Sequence, residues 1–325
     1  MSISFFELLN EGATELAQSG SLTYLEGLAE FGDALFTGRA LPIENQAIHN
    51  RLQQKRVQLN IEELKAETVR KAFQLAVLKG MKGAIQPHHS MTPDAVCLFI
   101  SYLVNKVTQG KETIQTVLDL AVGSGNLLSA LLNQAQVPVK GYGYEVDETL
   151  LKLAFVSANL QRKEVDLFHQ DSIQATSIPT VDVVVTDVPV GYYPKDEVAQ
   201  RYELKEENGH SLIHHLMVER AIEHTKAGGF ICLLIPNFLF ESEQAKKLHS
   251  FLKENVFIHG LLQLPQTMFQ SDQFSKSILI LQKHGNGARQ ARQALLAELP
   301  SFSKKDSLAD MIRQIDHWFT EELGI

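Results

Sequence analysis

Residues 116–132, TVLDLAVGSGNLLSALL, constrain the fold of this chain more than any other stretch. A short apolar run ends in an acid, Asp119. A turn with glycines at Gly123 and Gly125 follows, and then a helical pattern begins. Glycine permits the tight backbone of such a turn and lets a ligand press against bare main chain. The spacing is that of the fingerprint G-x-G-x-x-G, except that Leu128 stands where the third glycine belongs. What marks the loop instead is the acid ahead of it, D-x-x-x-G-x-G. A carboxylate there repels a pyrophosphate, whereas it suits the amino group of the methionine moiety of S-adenosylmethionine.

Around this unit, apolar strand candidates (TVLDL, KGYGYEV, VDLFHQD, VDVVVTD, GFICLLIP) alternate with helical stretches such as ETLLKLAFVSANLQ and SLIHHLMVERAIEHTK. That alternation predicts a parallel sheet with helices on both faces. The last two strands, VFIHGLLQLP and SKSILILQKH, have no useful helix between them and are expected to form an antiparallel edge hairpin. Such a sheet points to a methyltransferase more than to a dinucleotide-binding domain. Before it, residues 1–82 read as helices, with apolar residues three and four apart in ISFFELLNEGATELAQ, LTYLEGLAEFGDALF and IEELKAETVRKAFQLAVLKGMKG. The division expected is a helical N-terminal domain at 1–82, a cofactor-binding domain at 83–285, and a C-terminal docking extension at 286–325 built on DMIRQIDHWFTEEL.

Two further acids end later strands. Glu145, in GYGYEVD, lies where a carboxylate accepts hydrogen bonds from both ribose hydroxyls. Asp171, in LFHQDS, is placed to meet an adenine amino group. Each acid alone serves equally well as a helix cap. Together with the glycine loop, the three favour a cofactor crevice at the strand ends. Upstream, Thr92 as N-cap and Pro93 at the first helical position make a helix start whose amides suit a carboxylate, though an ordinary cap reads the same way.

Composition narrows the class. At 44% hydrophobic and 21% charged residues a folded protein is expected. A net charge of −8 works against sequence-independent nucleic-acid binding, unless a local basic stripe exists. The two cysteines, Cys97 and Cys232, sit in separate apolar runs and are expected as buried free thiols. The N-terminus meets an acid at Glu7 and has no basic region, so no signal peptide is expected, and no apolar run reaches membrane length. A cytoplasmic location follows. His210, His214 and His215 lie near one another in HSLIHH, but no cysteine or carboxylate completes a metal site, and a surface position is expected for them.

The stretches QPHHSMTPDAV, LDLAVGSGNLL, VTDVPVGYYP and GGFICLLIPNFLF, then LLQLPQTMF and KSILILQK, occur in an order that resembles the N6-adenine DNA methyltransferases. The likeness is to type I restriction modification subunits and to small stand-alone bacterial methyltransferases related to them, over roughly residues 80–285. It implies a class I methyltransferase fold, a Rossmann-like seven-stranded sheet ending in an antiparallel hairpin. It also implies S-adenosylmethionine as cofactor, no metal, and an extruded adenine as acceptor. By motif match, Thr92, Asp119, Ala121, Gly123, Gly125, Glu145 and Asp171 would line the cofactor, and the tetrad Asp187, Val188, Pro189 and Val190 would hold the acceptor.

The tetrad departs from the family pattern [D/N/S]-P-P-[Y/F/W] at two places. An aromatic amine is a poor nucleophile because its lone pair is delocalised, and hydrogen bonds accepted from both its N–H groups localise that pair. Asp187 through its side chain and Val188 through its carbonyl supply them, so valine for the first proline costs nothing. Val190 replaces the aromatic, whose stacking is worth about 1–3 kcal/mol. Tyr192 and Tyr193 are the candidates for a substitute ring.

The resulting expectation is an N-methyltransferase acting on adenine N6 in DNA. The alternatives are another acceptor (RNA, a protein glutamine or a small amine), or a cofactor-binding interaction protein with little catalysis. Residues 286–325 are too few for a target-recognition domain, so recognition of DNA would need a partner chain or the N-terminal helices. The basic residues of NRLQQKR and VRKAFQLAVLKGMK are the candidates for a basic stripe, or else form an ordinary solvated face.

Overall fold

The structure, a computed structural model, describes residues 4–20, 22–82, 91–111, 113, 115–241, 244–269 and 271–325. In chain order its first elements are α1 (Phe5–Ser19), α2 (Tyr24–Thr37), α3 (Gln46–Leu59), α4 (Ala66–Met81), α5 (Asp94–Thr108), β1 (Gln115–Asp119), α6 (Asn126–Gln134), β2 (Val139–Glu145), α7 (Glu148–Leu160) and β3 (Val165–His169). Then come β4 (Val181–Asp187), α8 (Asp196–Ala199), α9 (Ile213–Glu223), β5 (Thr225–Pro236), α10 (Ala245–Asn255), β6 (Val256–Gln263), β7 (Lys276–Lys283), β8 (Leu295–Glu298) and α11 (Lys305–Trp318). The strand order is β3-β2-β1-β4-β5-β7-β6-β8. β1, β4 and β5 run parallel, and β7 is antiparallel to both β5 and β6.

The expected hairpin is therefore present, but the sheet has eight strands where seven were expected. The addition is β8, which pairs parallel to β6 and covers that edge. Its four residues, LLAE, are too short to carry an alternation signal, and Leu296 is 71% exposed. No helix among the described residues is long and apolar enough to cross a membrane.

The chain divides into two compact units. The first comprises Met1–Cys97, Val122–Gln134 and Gly143–His169. Its helices begin on strong caps. Ser4 and Thr23 each accept a main-chain N–H three residues on, while Glu7 and Glu26 reach back to the cap amides, so each pair closes a capping box. One apolar core runs from Phe5, Leu8 and Leu9 of α1 through Leu28 and Phe31 of α2 and Val69 and Phe73 of α4 to Leu153, Val156 and Leu160 of α7. The N-terminal helices thus share their core with a helix of the α/β region, and burying this much aliphatic and aromatic surface is what holds them there.

The second unit comprises Leu98–Ala121, Ala135–Tyr142 and Gln170–Ile325. The inner residues of β4 and β7 and the second half of β5, Ile231–Pro236, are almost all buried, as expected for strands covered on both faces. Cys97 of the first unit and Cys232 of the second are buried thiols outside any disulfide. The C-terminal helix docks through its own anchors: Phe319 is fully buried, Trp318 Nε1 donates to the Gln293 carbonyl at 2.7 Å, and Asp316 accepts from Tyr102 Oη at 2.7 Å and from Lys106 at 2.6 Å.

Candidate functional site

In the first unit the glycine loop forms as the sequence predicts. Gly123 has φ +55° and Gly125 φ +82°, both in the left-handed region. Gly125 N–H donates to the Val122 carbonyl at 2.9 Å, and α6 starts at the next residue. A Cβ placed on Gly125 would lie 3.0 Å from Ala154 Cβ, whereas one on Gly123 would meet nothing within 4 Å. The space beside Gly123 is open.

Glu145, at the end of β2, is turned onto this loop. Its Oε2 accepts Gly123 N–H at 2.9 Å, and its Oε1 accepts Val146 N–H at 2.8 Å and Asp147 N–H at 2.9 Å. A carboxylate offers about four acceptor positions, so this one is oriented by main-chain donors and still has capacity for a hydroxyl.

Thr92 is buried ahead of α5, which begins at Asp94, one residue later than the expected Pro93. The Pro93 carbonyl accepts Cys97 N–H at 3.0 Å, so proline still opens the helix. Gly83 and the Gln86–Ser90 part of the QPHHSMTP motif lie outside the described residues.

The second unit carries the other acids. Asp119 ends β1, is 2% exposed, and accepts Ala121 N–H on Oδ1 at 3.1 Å. Asp171 lies two residues past β3 rather than at its end. Its Oδ2 accepts from Tyr193 Oη at 2.6 Å and faces Lys195 Nζ at 3.4 Å. Asp187 ends β4, where Val188 N–H donates to the Leu234 carbonyl of β5 at 3.0 Å. Lys276, the first residue of β7, places Nζ 2.5 Å from Asp187 Oδ1. In the rest of the tetrad Val188 is buried, Pro189 half-buried and Val190 exposed.

The two tyrosines after Gly191 part company. Tyr193 is 2% exposed and Tyr192 is 71% exposed. Main-chain bonds fix this segment: Tyr193 N–H donates to the Ser211 carbonyl at 2.8 Å, and Ile213 N–H to the Gly191 carbonyl at 2.9 Å. Burial first, and then the hydrogen bond and charge of Asp171, push the Tyr193 phenol well above its usual range.

Two expectations change. His214 and His215 are buried, at 2% and 0% exposure, not on the surface. The reason is that α9 packs against β5 and the short helical turn Asn237–Phe240 that follows it. His214 meets Phe238 edge-on with ring centres 5.8 Å apart, and His215 Nδ1 pairs with Gln244 Oε1 at 3.0 Å. Most of the candidate basic stripe is paired internally. Arg51 and Lys55 face Glu11, Arg56 donates to the Leu35 and Arg39 carbonyls, Lys71 faces Glu67, and Lys79 lies over the Tyr24 ring.

Lys276, Arg70 and Asn126 carry contacts that the sequence did not reveal. Lys276 is separated from Asp187 by 89 positions, and no local pattern marks it. Asn126 had a visible signal, as the polar residue that opens the helix after the glycines.

Helices flanking a largely parallel sheet that closes in an antiparallel hairpin, with an acid and a glycine loop after β1, define a class I S-adenosylmethionine-dependent methyltransferase. Residues 88–321 match the family described as N-6 DNA methylase, and the chain belongs to that family. Residues 3–81 match the YtxK N-terminal helical domain.

The uncharacterized protein YtxK of Bacillus subtilis (strain 168) is 47% identical over 322 residues, covering 98% of this chain and 97% of that protein. A crystal structure from Listeria monocytogenes, described as a candidate class I S-adenosylmethionine-dependent methyltransferase, superposes with a TM-score of 0.89 at 38% identity, covering 97% of both chains. The methyltransferase subunit of a type I restriction-modification system from Streptococcus thermophilus shares the fold, with a TM-score of 0.65 at 16% identity, covering 98% of this chain and 76% of that one.

Proposed function

We propose that the protein transfers a methyl group from S-adenosylmethionine to an amino nitrogen, with adenine N6 in DNA as the acceptor. The observation that carries this is the position of Asp187 and Val188 at the end of β4, the main chain there pinned to Leu234 and the carboxylate held by Lys276. Membership of the N-6 DNA methylase family supports the choice of acceptor.

The residues fit the cofactor. Gly123 leaves open space where a side chain would stand, and Glu145 keeps acceptor capacity for a ribose hydroxyl. Asp119 suits the amino group of the methionine moiety, the start of α5 at Thr92 its carboxylate, and Asp171 the adenine amine. Ala121 and Gly125 shape the loop. When bound, the cofactor supplies an electrophilic methyl group on a sulfonium sulfur.

The chain's own groups act on the acceptor. The Asp187 carboxylate and the Val188 carbonyl accept its two N–H bonds, which localises the nitrogen lone pair and aims it. Lys276 keeps a cation beside Asp187 and orients its carboxylate. Pro189 stiffens the tetrad, and exposed Tyr192 supplies the ring that Val190 lacks. Alignment of the reacting atoms does most of the remaining work.

Base extrusion costs a few kcal/mol. In a chain of charge −8 whose basic helices are internally paired, a partner subunit would bring the DNA contacts, in the cytoplasm. A second reading, an amide acceptor such as a protein glutamine, is favoured by Val190 itself, which is 45% exposed and offers no flat face for a base.

The test is to incubate the protein with methyl-labelled cofactor and an extract of cells deleted for it. Label in DNA is expected, with transfer lost in Asp187→Ala and cofactor binding lost in Asp119→Ala. Label that enters protein or small amines and never DNA removes the DNA part of the proposal.

A further inference from the structure

A single guanidinium joins the starts of two helices in the first unit. Arg70, on α4, is 1% exposed. Its Nη1 donates to Asn126 Oδ1 at 2.8 Å, and its Nη2 to Asp94 Oδ1 at 2.6 Å. Nε and Nη2 form a fork on Glu67, at 2.8 and 2.6 Å. Asp94 is the first residue of α5, and Asn126 the first of α6, next to Gly125. Asn126 passes the constraint on, since its Nδ2 donates to the Thr92 carbonyl at 3.1 Å and meets Cys97 Sγ at 3.4 Å.

The arrangement is costly to build. A buried cation needs several good partners to offset its desolvation, and a planar fork serving three separate side chains cannot be replaced by the point charge of lysine. Simple attachment of α4 to its neighbours does not require it, because the apolar core from α1 to α7 already provides that. What the fork does fix is the position of Thr92 and the start of α5 relative to the glycine loop.

We infer that Arg70 is a positioning residue for the methionine end of the cofactor, through which the N-terminal helical region sets the spacing between the Thr92 helix start and the Gly123–Gly125 loop. The inference rests on the cofactor reading above and deepens it. The helical region is then part of the cofactor site's construction. Arg70 itself does not touch the ligand, and acts through Asn126 and Asp94.

Binding to the full-length protein, measured by calorimetric titration, tests this with two ligands. S-adenosylhomocysteine carries the amino-acid end, and 5′-methylthioadenosine lacks it. Arg70→Met is expected to weaken S-adenosylhomocysteine at least about tenfold and to leave 5′-methylthioadenosine within about twofold. Asn126→Ala, a smaller change that keeps the fold accessible, is expected to show the same selective loss, and the double variant no further loss. Arg70→Lys is expected to behave as Arg70→Met. Equal weakening of both ligands, or unchanged binding of both in Asn126→Ala, overturns the inference while wild-type binding upholds the cofactor reading. Wild-type protein that binds neither ligand overturns the cofactor reading, and this inference with it.

Discussion

The Tyr193 hydroxyl donates to Asp171 Oδ2 at 2.6 Å, and the tyrosine ring is buried. The loop after the tetrad is thereby tied to an acid of the proposed cofactor site, and Tyr193 is committed to that bond. Tyr192, its neighbour, projects outward. Tyr193→Phe should therefore lower stability by about 1.5–3 kcal/mol, the range for a hydrogen bond to a charged group. Tyr192→Ala should change stability by less than about 0.5 kcal/mol while raising KM for the acceptor. Urea denaturation and transfer kinetics on the two variants measure the contrast, and the reverse pattern would mean that Tyr193 is the stacking ring.

The pair formed by Lys276 and Asp187 is mostly shielded, with side chains 21% and 16% exposed. Removing one partner takes the opposite charge away from the other where water reaches it poorly. Lys276→Met should destabilise the protein by roughly 1–3 kcal/mol, discounted from the fully buried case because the site is partly open. Asp187→Asn combined with Lys276→Met should cost less than the sum of the two single changes. Additive losses in a denaturation cycle would show that the two groups do not interact.

Gly123 and Gly125 should respond differently to alanine. Both need positive φ, which costs a non-glycine residue on the order of 1–2 kcal/mol. Only Gly125 also packs against α7, where the added Cβ would press on Ala154 at 3.0 Å. Gly125→Ala is expected to be the more destabilising change in thermal melts. Gly123→Ala should melt close to the value set by its backbone alone and lose affinity for S-adenosylhomocysteine, because its methyl group enters the open space.

Acid should weaken the fold through buried histidines. Burial first, and then the neighbouring His215, push His214 down to about 4; burial, and then the charge of Arg220, do the same for His224. As pH falls through 6.5 the unfolded chain takes up protons at these positions, and the native state does not until about 4. Their stabilisation is therefore complete above 6.5 and is lost progressively as pH falls toward 4, at up to about 1.4 kcal/mol per pH unit for each group. His214→Phe should lose less stability than wild type between pH 7 and pH 5, as read by urea midpoints at the two values. An equal loss in both proteins would clear His214 of this role.

Much of the fold was legible because its signals are local. The run from Thr116 to Leu132 encodes strand, turn and helix within a few residues of each feature, and the structure has β1, the loop and α6 there. The edge hairpin was legible for the same reason, since no helix-length segment separates β6 from β7. β8 was not: four residues at an edge, half of them exposed, carry no periodic signature. The surface expected for His214 and His215 failed because α9 buries them against partners that no helical pattern names.

The sequence alone determined the order of strands β1 to β7, the acids at the ends of β1, β2 and β4, and the glycine turn after β1, since each depends on spacing within one segment. Only the tertiary structure decided which groups those acids meet. It gave Asp187 a lysine 89 positions away, assigned Tyr193 to Asp171, and drew Arg70 and Asn126 together across 56 positions. The physical reason is that a charge or hydrogen bond acts over a few ångströms of space, regardless of distance along the chain. Its partner is set by which surfaces pack, and the packing is fixed by the cores of the two units.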